Sequence, residues 1–153
     1  MAFRIQDFRS QLVFDGARPN LFQCSMTFPL ISVQEGDPQR KFTFMARAAQ
    51  LPGSTVNQVP VNYFGRELKF SGNRTFSEWT VTIINDEDFV IRKAFERWMN
   101  GLNSHVTNLR EPTFIAGGGA GTGYQQDGFV TQYGKAGNEI KSYKFVGMFP
   151  IDV

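Results

Sequence analysis

The sequence predicts a mainly β fold of six or seven strands in antiparallel hairpins, with one main helix. Three observations carry this. Phe occurs 16 times among 153 residues and outnumbers Leu more than twofold, a bias towards half-buried strands rather than a helix bundle. Apolar side chains alternate with polar ones over Leu21–Leu30 and again over Ser77–Ile83, the period of a strand with one covered face. Helical periodicity is clear in one place only, after Asn85.

In chain order, residues 1–20 carry Phe3, Phe8, Leu12, Val13 and Phe14, enough for a short helix that Gly16 and Pro19 would end. From Leu21 to Leu30, Phe22, Cys24, Met26, Phe28 and Leu30 share a strand face. Residues 32–41 are polar, contain Gly36 and Pro38, and read as a flexible loop. Alternation resumes at Phe42, Phe44, Ala46 and Ala48, which predicts a hairpin with the preceding strand. Leu51-Pro52-Gly53 breaks it. Residues 53–72 read as a long, partly projecting hairpin, with Pro60 suited to an edge because it cannot donate a ladder hydrogen bond.

The predicted helix covers residues 86–101. Asn85 would cap it, and Asp86-Glu87-Asp88 would place negative charge in its first turn. Ile91, Phe95, Trp98, Met99 and Leu102 form a continuous apolar stripe, from which Phe89 stands apart. Residues 103–127, including the glycine run 117–123, read as a flexible loop, since so much glycine raises the entropy of the unordered chain. Phe129–Tyr133 and Glu139–Phe149, joined by a turn at Gly134–Asn138, complete the strands. No repeat or domain boundary is visible, and the whole chain is expected to be one domain.

Composition excludes several functions. A formal net charge of +2 is too small to argue for nucleic-acid binding, and the basic residues are scattered. One Cys rules out an internal disulfide framework. No apolar run approaches the ~20 residues of a membrane-spanning helix. Arg4, Asp7 and Arg9 interrupt the start, so it does not read as a secretory signal. No cofactor site emerges, because the glycine run lacks both the Lys-Ser/Thr of a phosphate loop and the spacing of a dinucleotide fingerprint. No metal site emerges from Cys24 and His105, since a tetrahedral zinc needs four ligands. Cys24, on an apolar strand face, reads as an inert core thiol, and Ser10, Ser71 and Ser104 have no nucleophile-elbow context. No catalytic residue is assigned. The best nucleic-acid candidate, Tyr63–Phe70, interleaves aromatics with Arg66 and Lys69 but is interrupted by Glu67. A monomeric β-barrel ligand- or nucleic-acid-binding module is therefore the alternative reading.

A set of short motifs in order resembles the tail tube proteins of contractile-tailed (T4-like) bacteriophages. These are Ala17-Arg18-Pro19-Asn20-Leu21-Phe22-Gln23, Leu51-Pro52-Gly53, Gly72-Asn73-Arg74-Thr75-Phe76, Trp79-Thr80-Val81-Thr82, Asn85-Asp86-Glu87 with Phe95 and Trp98 on the helix, Gln132-Tyr133, and Gly147-Met148-Phe149-Pro150. The resemblance implies an antiparallel β-barrel or sandwich with a flanking helix, in subunits that form hexameric rings stacked into the inner tube of the tail. It implies as partners further copies of the chain, the tail sheath protein, and baseplate (tube-initiating) and tail terminator proteins. DNA would pass through the lumen without specific binding, no membrane would be involved, and the protein would reside in the virion after assembly in the host cytoplasm. Related secretion-system tube proteins share the architecture. Similar proteins usually continue with another strand beyond the Gly-Met-Phe-Pro segment. Here a neighbour or the N-terminal segment is expected to fill that edge, or the sequence continues past Val153. Subunit-interface residues are expected at Phe3, Phe8, Val56, Val59, Tyr63, Phe64 and Phe89, and at Arg18, Asn20, Asn73 and Arg74, for which local turn bonding is an equal expectation.

Overall fold

The computed structural model describes residues 4–12, 16–34, 36–115 and 123–153. The described residues are mainly β, with seven strands in antiparallel sheets that do not close into a barrel, and a few helices. They form two compact units, residues 1–44 with 85–153, and residues 45–84.

The first unit is built on the sheet β1-β6-β7, comprising Phe22–Met26, Gln126–Tyr133 and Glu139–Met148. β1 pairs with β6 from Phe22↔Gln132 to Met26↔Gly128, so the predicted hairpin between β1 and the run after Phe42 does not form. Cys24, Met26 and Phe28 are buried as the alternation requires. Leu30 breaks the pattern at 73% exposure, because β1 has ended at Met26 and Leu30–Ser32 turn as a short 3-10 helix that follows Pro29.

Residues 38–45, expected as a loop and then a strand, form helix α2 (Pro38–Met45). Asp37-Pro38 explains the start. The Asp37 carboxylate accepts from the Arg40 N–H at 3.0 Å, and Pro38 occupies the first helical position, where no N–H is needed. Pro38 and Phe42 are then buried four residues apart on one helical face, while Phe44 turns outward at 75% exposure.

Helix α3 runs from Val90 to Leu102, four residues later than predicted. Asp86 and Asp88 do not lie in its first turn. Both accept from Lys41 Nζ, at 2.6 and 3.2 Å, which ties the segment before α3 to α2. The hydrogen bonds hold the Asp86 carboxyl below its ordinary range and the Lys41 ammonium above its own. The stripe falls as expected, with Ile91, Ala94, Trp98 and Gly101 buried. Phe28 is the hub of the core, edge-on to Phe42, Phe95 and Trp98 at centroid distances of 6.1, 5.1 and 6.0 Å, and Phe95 stacks on Trp98. Such pairs add about 0.5–1.5 kcal/mol each beyond area burial. Trp98 Nε1 donates to the Tyr124 carbonyl at 2.9 Å. A short helix α4 (Pro112–Ile115) seats Phe114 on α3 at Gly101, where an added Cβ would lie 2.7 Å from the ring. The predicted N-terminal helix is α1 (Ile5–Gln11), with no buried residue.

The second unit is a single antiparallel ribbon. β2 (Ala46–Gln50) pairs with β5 (Thr80–Ile83), and β3 (Ser54–Tyr63) pairs with β4 (Arg66–Phe76). Between these ladders, Gly53 and Ser77 bond to one another, so the strands stay in step from Met45/Ile84 to the turn at Phe64-Gly65. The register slips by one residue between Ala46 and Ala48 and slips back between Val56 and Gln58. Gly72 sits at the second slip, where a Cβ would lie 3.0 Å from both the Asn57 carbonyl oxygen and a Val59 methyl, which explains the absence of a side chain. Fully extended, the ribbon reaches up to roughly 60 Å.

Candidate assembly surface

The outer half of the ribbon is amphipathic. Residues paired across an antiparallel ladder share a face. Val59↔Phe70, Val61↔Leu68 and Tyr63↔Arg66 thus lie on one side, and Gln58↔Ser71, Pro60↔Lys69 and Asn62↔Glu67 on the other. The first side is apolar apart from Arg66, yet its apolar residues are all 45–64% exposed. Val56 and Phe76, nearer the base, are also exposed. A two-stranded ribbon is marginal alone in water, and an exposed apolar stripe of this kind is a candidate contact surface.

At the tip the two-residue turn has positive φ at both central positions, +46° at Phe64 and +76° at Gly65. This is the type I′ arrangement, which favours Asn-Gly. Gly65 fits it. Phe64 does not, because its Cβ crowds the backbone in the left-handed region. Phe64 is nonetheless 90% exposed, and its one described ring partner is Tyr63, edge-on at 4.5 Å.

The other expected interface residues lie apart from this stripe. Phe8 is on α1, 56% exposed. Phe89 caps α3 in the left-handed conformation (φ +53°) without a side-chain cap bond, and is 45% exposed. The Arg18 and Asn20 side chains are exposed, and the Arg18 carbonyl accepts from Leu21 N–H and Gln132 Nε2, which makes its backbone a turn fixture. Asn73 and Arg74 are exposed on β4 beside the second register slip. Phe3 and glycines 117–121 fall outside the described residues. Val61, Leu68 and Phe70 belong to the stripe but were not expected in it. Their signal was the two-residue period on either side of Phe64-Gly65, legible once the turn is placed.

Among the described residues, no group of three or more His, Cys, Asp or Glu side chains is placed to hold a metal ion. Cys24 is buried and its thiol is pushed up to about 11 by desolvation, so it stays a thiol at neutral pH. An open cleft of about 430 Å³ beside α3 is lined by Arg97, Ser104, Arg110 and Glu111 among others.

An exposed apolar ribbon face in one unit and an aromatic core in the other define a structural subunit fitted for protein–protein contact. The chain belongs to the phage tail tube protein family, whose pattern residues 17–153 match. It is 31% identical over 143 residues to the tail tube protein gp19 of Enterobacteria phage T4, an alignment covering 91% of this chain and 76% of the relative. The identity and coverage are the same for tail tube protein gp19 of Enterobacteria phage T6. The chain is a structural subunit of a phage tail tube.

Proposed function

We propose that copies of this chain, each a single tail-tube domain, close into hexameric rings that stack into the inner tube of a contractile tail, without catalysis. The observation that carries this is the ribbon of residues 45–84, whose apolar face is exposed in one chain and has a use only when other chains cover it. The hairpin of 53–72 acts as the stacking arm, with Val56, Val59, Tyr63 and Phe64 in the contact. Phe3, Phe8 and Phe89 reach neighbouring subunits, and Arg18, Asn20, Asn73 and Arg74 hold turns beside those contacts. The tube serves as the scaffold for the sheath, starts on a baseplate initiator and ends at a terminator. It assembles in the host cytoplasm, enters the virion, and conducts DNA without binding it specifically. The small net charge favours that role, since a strongly basic lumen would retain DNA electrostatically.

Negative-stain electron microscopy of the concentrated purified protein tests the reading. Sixfold rings and hollow tubes are expected. A strictly monomeric protein at all concentrations, with salt-sensitive oligonucleotide binding, would refute it.

A further inference from the structure

Phe64 occupies a position that the local backbone disfavours. In a type I′ turn the first central residue is best as Asn, Asp or Gly, and a bulky side chain at positive φ is an outlier held at some cost to the isolated fold. With φ at +46°, Phe64 is 90% exposed and its described ring contact is the neighbouring Tyr63, so the left-handed backbone places the ring in the open and not in the subunit's core.

The surroundings indicate what the phenyl ring serves. Tyr63 begins the apolar stripe that continues through Val61, Leu68, Val59 and Phe70, so Phe64 stands at the end of a continuous apolar surface. From their fractional exposures, these six side chains present roughly 700 Å², close to the ~800 Å² that each partner of a specific complex buries. That area is enough for a full protein–protein contact and far more than a small ligand needs. In a tail tube subunit the protein surface available in excess is another copy of the same chain.

We infer that Phe64 is the anchor of an inter-subunit contact: it inserts into an apolar recess on a second copy, and docking offsets the strain of its left-handed backbone. This rests on the tube reading above and adds to it the residue that sets contact strength. Large aromatic side chains that fill a well-packed, desolvated pocket on a partner carry a disproportionate share of a contact's strength. The turn is thereby less favourable in the free subunit than it would be with asparagine, and more effective in the assembled one.

The test is Phe64→Asn in the full-length chain, with Phe64→Gly as a second variant suited to the same backbone. Both are expected to raise the melting temperature of the dissociated subunit by about 1–3 °C, because the turn is relieved. Both are expected to raise the minimum concentration for tube formation, scored by sedimentation and microscopy, at least tenfold. Tubes at wild-type concentrations from either variant would overturn the anchor while leaving the tube reading intact. A lowered melting temperature in both would overturn the strain argument. Wild-type protein that forms neither rings nor tubes would overturn the reading and the anchor together.

Discussion

Ser77 and Gly53 are bonded to each other where the ribbon's regular ladders are interrupted. The Ser77 N–H donates to the Gly53 carbonyl at 3.0 Å, and the Gly53 N–H donates to Ser77 Oγ at 2.6 Å. These bonds bridge the β2–β5 and β3–β4 ladders and carry the strand register past Leu51-Pro52, where Pro52 has no N–H to contribute.

Ser77→Ala removes the second bond, together with the long donation from Ser77 Oγ to the Gly53 carbonyl at 3.4 Å, and leaves the first. Exposed hydrogen bonds are worth about 0.5–1.5 kcal/mol, so a small loss of overall stability is expected. The larger effect should be local. Amide hydrogen exchange across residues 53–57 and 73–77 is expected to quicken severalfold, while β6 and β7 keep wild-type protection. Uniform quickening over the whole chain would show that the bonds do not act as a local clamp.

Trp98 joins two functions in one side chain, stacking on Phe95 and donating to the Tyr124 carbonyl. Trp98→Phe keeps an aromatic ring but leaves a cavity and an unmet carbonyl, with an expected loss of about 2–3 kcal/mol. Urea titration followed by circular dichroism measures it. A loss below about 1 kcal/mol would mean that the core repacks and that water reaches Tyr124.

Acid should weaken the first unit through two carboxylates. The hydrogen bond from Lys41 holds Asp86 below its ordinary 3.8, and Asp127 is lowered first by Lys144 and then by the Gly147 N–H. Each contributes stability present above the unfolded-state value and lost as pH falls through the lower folded-state value. The melting temperature is expected to be flat from about pH 5 to 8 and to fall below about pH 4. Lys41→Met should flatten part of that acid-side fall and leave the Asp127 part. At the alkaline end, Cys24 acts in the opposite sense. Between its ordinary 9.0 and about 11 the unfolded chain loses a proton that the folded chain keeps, so stability falls as pH rises. An acid limb unchanged in Lys41→Met would contradict the role given to the pair.

Much of this architecture is legible in the residues, and the departures have physical causes. The alternation of Cys24, Met26 and Phe28 marks a covered strand face, and the stripe from Ile91 to Leu102 marks α3. Phe42 and Phe44 alternate like a strand, yet Asp37-Pro38 starts a helix there, so a capping signal outweighed a two-residue period. Asp86 and Asp88 satisfy a helix-start pattern, yet their partner is Lys41, more than 40 residues away. The pairing of β1 with β6 is likewise a long-range choice that local pattern does not specify. Phe44 and Phe70 show the remaining gap. Periodicity assigns a side chain to a face, but not whether that face is covered by the same chain or by another, and both residues are exposed.

In the assembled tube the apolar face of the ribbon is expected to be covered by other copies. Hydrogen exchange across residues 54–76, compared between dissociated subunits and assembled protein, tests it most directly. Slowing of at least tenfold on assembly, centred on Val59–Phe70, is the predicted result. Unchanged exchange there in well-formed tubes would contradict the account, because the contact that builds the tube would then lie elsewhere.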